Sequence, residues 1–194
     1  MKKISVFILL LLCASVFNAQ TKYTLSPDSK MKVDGSSTVS DWSVEVIEPT
    51  GDFVLVDDFK IEVGAAILSN LSFSFEVEKM DSGRGPIMNG KVESALKSDD
   101  HPNVSFTSNE AKITAVDADG FTAESIGTIK IAGVEKEITV VFKVTTENNN
   151  GSFHFKGNKG VTMSMFSIEK PTAFFGKLKT MDDLDVSFHL KFTK

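Results

Sequence analysis

Two carboxylates adjoin an imidazole at Asp99-Asp100-His101, which makes this segment the strongest candidate in the sequence for metal chemistry. A metal site needs three or four ligands that converge on one point. Consecutive side chains point in different directions, and no second cluster of histidine or cysteine accompanies these three residues. The segment therefore favours a solvated helix end, and the sequence predicts no metal site.

His154 and His189 are the candidates for acid-base chemistry, because a serine nucleophile needs a histidine beside it. Each of these histidines stands between two large apolar residues in an alternating run. Alternate residues of a strand point to opposite faces, so both imidazoles are expected on the face away from the apolar interior. The sequence therefore predicts no catalytic triad and no enzyme activity.

Arg84 is the single arginine of the chain and stands between Gly83 and Gly85. A guanidinium next to freely turning backbone amides can bind a phosphate or a quinone carbonyl. A solvated arginine in a turn is the alternative. Arg84 is therefore the candidate for a ligand head group.

Apolar and polar residues alternate with a period of two through most of the chain, which indicates half-buried strands. The alternating runs cover residues 42–46, 53–55, 59–63, 71–77, 138–144 and 186–192. Glycine-containing turn pairs separate such runs at Thr50-Gly51, Asp119-Gly120, Ala132-Gly133 and Asn150-Gly151. The strands are therefore expected to pair mostly with their neighbours in the chain.

One segment has helical spacing instead, with apolar residues at Met88, Val92 and Leu96. This spacing predicts a short amphipathic helix from Asn89 through Ser98, capped by Asn89. A second irregular stretch, residues 170–176, places Phe174 and Phe175 beside a proline and a glycine. We expect it to form a loop over an apolar opening.

Eight to ten short strands without a long helix predict an all-β barrel or sandwich. A barrel is favoured because it leaves no exposed strand edges. The composition of 16 phenylalanines and 7 methionines, against one tryptophan and one tyrosine, predicts an apolar interior. An eight-stranded barrel is just wide enough either to be filled by side chains or to hold one slim ligand, and the composition leaves both open.

Residues 1–19 have the pattern of a secretory signal peptide, since Lys2 and Lys3 precede an apolar run too short to span a bilayer. Cleavage is expected after Ala19, which leaves one domain, residues 20–194. Cys13 is the only cysteine and lies in the signal, so the domain is predicted to form no disulfide. The net charge of −5 and the scattered lysines disfavour nucleic-acid binding, and no later apolar run is long enough to span a membrane.

Two motifs resemble the YceI-like family. The first is IMNGKVESALKSDDHPNVSFTS, which begins at Ile87, and the second is GTIKIAGVEKEITV, from Gly127 to Val140. The stretches 35–42 and 160–194 are similar to the secreted, Bacteroidetes-type variant of that family. The resemblance covers the whole domain. It departs at residues 23–29, which contain no histidine, and at His101, where the family has an aromatic residue, so the head group of a ligand is the least transferable property.

The resemblance implies a single lipocalin-like barrel of eight antiparallel strands with a short helix near one mouth. It implies an apolar tunnel for an isoprenoid quinone or polyprenyl lipid, no reaction and no cofactor. The expected function is a periplasmic or secreted carrier or sequestering protein, and transient membrane contact and a dimer are left open. A structural or protein-interaction barrel with a filled core is the alternative. Residues expected to form the tunnel wall are Trp42, Phe73, Phe75, Met88, Leu96, Phe106, Phe142, Phe153, Phe155, Met163, Met165, Phe174, Phe175 and Phe188.

Overall fold

A computed structural model describes residues 20–148, 150–173 and 178–194. The predicted signal peptide and two of the predicted wall residues, Phe174 and Phe175, lie outside the described residues. Among the described residues, no helix is long and apolar enough to cross a membrane.

Strand segments account for most of the described chain. They are β1 (Lys22–Leu25), β2 (Lys30–Ser37), β3 (Asp41–Val46), β4 (Thr50–Leu55), β5 (Ala66–Glu76), β6 (Met80–Asp81), β7 (Asn103–Ser108), β8 (Ala111–Asp117), β9 (Gly120–Ile131), β10 (Val134–Glu147), β11 (Ser152–Thr162), β12 (Thr172–Ala173) and β13 (Leu178–Thr193). One α-helix, α1 (Pro86–Leu96), and two 3₁₀ turns, Val77–Lys79 and Ser164–Phe166, complete the described elements.

The segments combine into eight antiparallel barrel strands. Four barrel strands are interrupted, and each is built from two consecutive segments: β1 and β2, β3 and β4, β5 and β6, and β7 and β8. The other four barrel strands, β9, β10, β11 and β13, are continuous. Each barrel strand pairs with the next one in the chain. The last strand, β13, pairs back with β1 and β2, so the barrel is closed. The predicted all-β antiparallel barrel is therefore confirmed.

Helix α1 begins at Pro86, three residues earlier than the spacing of its apolar residues predicts. Proline is favoured in the first helical turn because its φ angle is already helical and its missing N–H needs no partner there. Asn89 is therefore inside the helix and does not cap it. Its Oδ1 instead accepts hydrogen bonds from the backbone nitrogen and hydroxyl of Ser82, at 2.9 and 2.6 Å. The helix ends at Leu96 because Lys97 adopts the left-handed conformation.

The strand predicted at residues 59–63 is wrong. Positive φ angles at Asp58 and Gly64 turn the backbone on both sides of this segment. Phe59 packs against the core, but Ile61 and Val63 remain 44% and 67% exposed. These turns prevent the segment from pairing as a strand, and two large side chains are left in solvent.

Three of the four predicted hairpin turns are confirmed, and they connect β8 to β9, β9 to β10, and β10 to β11. The fourth is wrong, because Gly51 lies inside β4, and the positive φ of 54° at Glu48 marks the interruption between β3 and β4 within one barrel strand rather than a hairpin. A Cβ atom at position 51 would stand 2.6 Å from the carbonyl oxygen of Ser72 on the neighbouring strand. Glycine is therefore needed here for close strand approach.

One end of the barrel is filled by four fully buried aromatic rings, of Tyr23, Phe53, Phe153 and Phe192. Ring centroids lie 4.9 Å apart for Tyr23 and Phe53, 5.4 Å for Phe53 and Phe153, and 5.1 Å for Phe53 and Phe192. These are the spacings of well-packed aromatic pairs. The Tyr23 hydroxyl, which is the polar atom of the group, donates to the carbonyl oxygen of Asn150. We call these four residues the aromatic floor.

Candidate functional site

Beyond the aromatic floor the barrel encloses a cavity of about 470 Å³. Pockets that bind small molecules commonly have volumes of about 300 to 1,000 Å³. All eight barrel strands contribute to its wall. One apolar wall residue from each strand, in chain order, is Met31, Trp42, Phe73, Phe106, Ile129, Phe142, Phe155 and Phe188.

Valines occupy part of the cavity wall between these larger side chains. Val33 lies between Val44 and Val186 as their cross-strand partner, and all three line the cavity. Val140 and Val161 line it from β10 and β11. Each of these valines leaves more free space inside the barrel than a phenylalanine would, and an eight-stranded barrel is wide enough to hold one slim ligand.

Helix α1 borders the mouth of the cavity, as predicted from the resemblance. Its residues Met88, Val92, Ala95 and Leu96 face the cavity. Their spacing of three and four residues places them on one face of the helix. The apolar face of α1 therefore continues the apolar wall of the barrel.

The 3₁₀ turn Ser164–Phe166 forms another part of the mouth, and Phe166 and Met163 line the cavity there. Asp182 holds this turn, since its carboxylate accepts hydrogen bonds from the backbone nitrogen of Ser164, at 3.0 Å, and from the Ser164 hydroxyl. These bonds lower the pKa of Asp182 below its ordinary value.

Trp42 is the only tryptophan, and it lies on the cavity wall. Its indole ring packs directly on Gly35 of the neighbouring strand, where any Cβ atom would overlap the ring. The indole nitrogen donates to the carbonyl oxygen of Ser36 at 3.2 Å. The absence of a side chain at Gly35 and the hydrogen bond to Ser36 thus fix the orientation of the indole ring.

Ten of the fourteen predicted wall residues line the cavity: Trp42, Phe73, Phe75, Met88, Leu96, Phe106, Phe142, Phe155, Met163 and Phe188. Contact of these residues with a ligand stays a prediction. Phe153 does not line the cavity, because its inward-facing ring packs on Tyr23 in the aromatic floor, at 5.0 Å between centroids. Met165 is half-buried against the apolar cluster at the mouth and does not reach the cavity.

The predicted strand faces are confirmed. Phe73, Phe75, Val140, Phe142, Phe188 and Leu190 line the cavity, whereas Glu76 and His189 are exposed. Lys143 forms an ion pair with Asp117.

His154 and His189 contact each other outside the cavity wall, with His154 Nδ1 and His189 Nε2 3.2 Å apart. Desolvation, and then the positive charges of His154, Lys156 and Lys30, lower the pKa of His189. The carboxylate of Glu147 lies 3.4 Å from His154 Nε2. Since neither histidine faces the cavity, the pair cannot act on a molecule inside it.

Arg84 is exposed and lies at the mouth, where it lines the cavity. Its Nη2 donates to the backbone carbonyl oxygen of Asp41 at 3.1 Å, which ties the loop before α1 to the start of β3. Asp81 orders the same loop by accepting from the backbone nitrogen of Gly83, and this bond, followed by one from Asn89, lowers the pKa of Asp81. A role of Arg84 in binding a head group stays a prediction.

Three lysines that the sequence analysis did not select also line the cavity, namely Lys91, Lys159 and Lys179. Lys159 is on β11, where Phe155 and Val161 face inward and Lys156 is exposed. The period of two therefore places Lys159 on the inward face. The period of two is the sequence signal that identifies Lys159 as an inward residue. Gly157 and Lys159 are not apolar, however, so the alternation of apolar residues is interrupted and the continuation of the strand is hard to recognise.

In the part of the chain that the structure describes, no three His, Cys, Asp or Glu side chains gather as metal ligands. His101 has a packing role, since its ring occupies the space beside Gly133 in the turn between β9 and β10.

Fold and cavity together define a class of protein: a closed up-and-down barrel with an apolar interior site that opens beside a helix. The chain belongs to the YceI-like family, because the model of the YceI-like domain matches residues 23–192.

Solved structures share this fold at low sequence identity. BcnA from Burkholderia cenocepacia is 17% identical, with a TM-score of 0.65 over 84% of this chain and 95% of BcnA. A polyisoprenoid binding domain from Saccharophagus degradans, implicated in plant cell wall breakdown, is 11% identical, with a TM-score of 0.66 over 90% of this chain and 99% of that domain. The Campylobacter jejuni YCEI protein is 16% identical, with a TM-score of 0.59 over 81% and 87%. Curated protein sequences yield no match.

Proposed function

We propose that this protein binds a long isoprenoid lipid, an isoprenoid quinone or a polyprenyl lipid, in the barrel cavity and acts as a carrier or sequestering protein. The observation that carries the proposal is the cavity itself, which has apolar side chains from all eight barrel strands and from one face of α1. The polyisoprenoid binding domain from Saccharophagus degradans, which has the same fold, supports this choice of ligand.

Burial of the hydrocarbon tail would provide the driving force. Each methylene-sized group transferred from water contributes about 0.8 kcal/mol, so a five-carbon isoprene unit offers roughly 3 to 4 kcal/mol. Ordering the tail opposes this gain. In a cell the competing environment is a membrane rather than water, which reduces the net free energy further and allows release as well as uptake.

The proposal includes export. Residues 1–19 would direct the chain across the inner membrane and be removed, which leaves residues 20–194 in the periplasm or outside the cell. Its cavity would then carry lipid through an aqueous compartment, and the role is binding rather than catalysis.

A filled structural barrel is the alternative function, and the cavity argues against it. Phe153 and its ring partners show that this barrel can be filled where large side chains face inward. The valine-lined part retains about 470 Å³ instead. A barrel whose only role is to present an outer surface has no need of such a space.

Thermal unfolding with and without an isoprenoid quinone tests the proposal. At a ligand concentration a hundredfold above Kd, we expect the Tm of the wild type to rise by roughly 5 to 10 °C. Val186→Phe places a ring in the cavity and should abolish this rise. Val141→Phe is the matched control on the outer face, where Val141 is 47% exposed, and it should keep the rise. Absence of any rise in the wild type with this quinone and also with a prenyl phosphate, each far above micromolar concentration, would contradict lipid binding.

A further inference from the structure

Lys159 is a charged side chain on the inner face of an otherwise apolar stretch of wall. It lies four residues from Phe155, which packs on the aromatic floor, and four residues from Met163 at the mouth. At about 3.3 Å per residue, each of these separations is roughly 13 Å. Its cross-strand partner on β13 is Val186, which is followed around the barrel by Val33. Lys159 thus lies at mid-depth beside Val33, Val44 and Val186, which we call the valine wall.

A lipid in this cavity has an energetic consequence for Lys159. Within the described residues, the Lys159 ammonium has no salt bridge and no side-chain hydrogen bond. An aliphatic tail packed against it would remove water and leave a charge without a partner, which is strongly unfavourable. A ligand that carries an anionic oxygen group to this depth removes that cost and gains a charge-assisted hydrogen bond.

The remaining charged residues of the cavity have the same sign. Arg84, Lys91 and Lys179 line it near the mouth, and no Asp or Glu of the described chain lines it. The chain as a whole carries a net charge of −5. The charged residues at the cavity are therefore all basic although the chain as a whole is acidic, and the field inside favours a negative ligand.

We propose that Lys159 binds the anionic head group of the lipid, a phosphate or a carboxylate, inside the barrel. This inference rests on the proposed function and deepens it, because it selects an anionic lipid over a neutral quinone or alcohol. Lys159 is the anchor, and the tail lies along the valine wall. Arg84 is less suited to this role, since it is exposed and its guanidinium already donates to the Asp41 carbonyl oxygen.

Two variants and one control test the proposal. Lys159→Met removes the charge and keeps an unbranched side chain, while Lys159→Arg keeps the charge. Lys156→Met is the control, because Lys156 is exposed on the outer face of the same strand. Trp42, the only tryptophan, reports binding from the cavity wall through its fluorescence. The probes are geranylgeranyl phosphate, geranylgeraniol and inorganic phosphate.

We expect the wild type to bind geranylgeranyl phosphate more tightly than geranylgeraniol, and Lys159→Met to lose about ten- to hundredfold affinity for the phosphate alone. Lys159→Arg and Lys156→Met should keep the preference. The same preference in Lys159→Met as in the wild type would overturn the role of Lys159 and leave the carrier function standing. Binding of neither lipid by the wild type would refute the proposed function itself. Inorganic phosphate that binds as tightly as the lipid phosphate would overturn the assignment to a lipid head group.

Discussion

The two ends of this barrel share one backbone architecture and differ in what their inward residues do. At the aromatic floor, Tyr23, Phe53 and Phe153 face inward and pack on one another with ring centroids 4.9 to 5.4 Å apart. Toward the mouth, valines such as Val33 and Val186 share the inward positions with larger rings such as Phe73, and a cavity remains. The packing of inward rings on one another, rather than the pairing of the strands, therefore distinguishes the part of the barrel that is core from the part that is available to a ligand.

The strongest test of this difference is a substitution in the aromatic floor. Phe153→Ala should lower the free energy of unfolding by about 3 to 5 kcal/mol, because the ring is fully buried and contacts Tyr23 and Phe53. Chemical denaturation measures the loss. The change in unfolding free energy should be the same with and without a saturating isoprenoid ligand. A loss that the ligand restores would show that the aromatic floor belongs to the binding site.

A substitution in the cavity wall should cost less. Phe188→Ala removes a half-buried ring that borders the cavity. We expect a loss of about 1 to 2 kcal/mol, because part of the ring has no protein atoms to lose contact with. The widened wall should also change the preferred tail length, measured by comparing prenyl lipids of increasing length. If Phe188→Ala destabilises as strongly as Phe153→Ala and leaves the length preference unchanged, the distinction between wall and floor is wrong.

The sequence predicts the strand faces of this fold well, because the period of two depends only on strand geometry. Phe142 and Phe188 were both placed on the inner face, where they line the cavity. The same pattern cannot say which inward ring meets a ligand, so it predicts Phe153 in the cavity wall although the ring packs in the aromatic floor. That outcome depends on Tyr23 and Phe53, which the closed barrel brings to Phe153 from other strands.

Polar residues at the site were harder to predict. Lys159 and Gly157 occupy successive inward positions of β11. Lysine and glycine are more typical of the solvent-exposed face of a strand, so their residue types hide the inward face. The apolar spacing correctly predicts helix α1. The predicted first residue is wrong, because asparagine is a favourable N-cap residue and Asn89 therefore suggests a later start. Its side chain bonds Ser82 instead. Tertiary contacts thus overrode a local preference.

The smallest expected effect is a change of stability with pH, which originates on the outer face of β13. His189 follows Phe188 on β13 but is exposed, beside His154. Its pKa is lowered in the folded protein by desolvation and by the neighbouring positive charges of His154, Lys156 and Lys30. The unfolded chain, with a histidine pKa of about 6.5, then binds more protons than the folded one below this pH. Stability should therefore fall as the pH drops through about 6.5 toward the folded pKa.

Denaturant unfolding of the wild type and His189→Gln at pH 7.5 and 5.5 measures this effect. These values stay above the range where the carboxylate of Glu147, whose pKa is lowered mainly by the neighbouring His154 imidazole, would be protonated. We expect a small loss of stability at the lower pH in the wild type and a smaller one in His189→Gln. Affinity for geranylgeraniol, which carries no charge, should be equal at both pH values, because the titrating ring and the cavity lie on opposite faces of β13. An affinity for this alcohol that changes with pH in the wild type, but not in His189→Gln, would show that protonation outside the barrel alters the interior. The cavity wall would then transmit changes between its two faces instead of separating them.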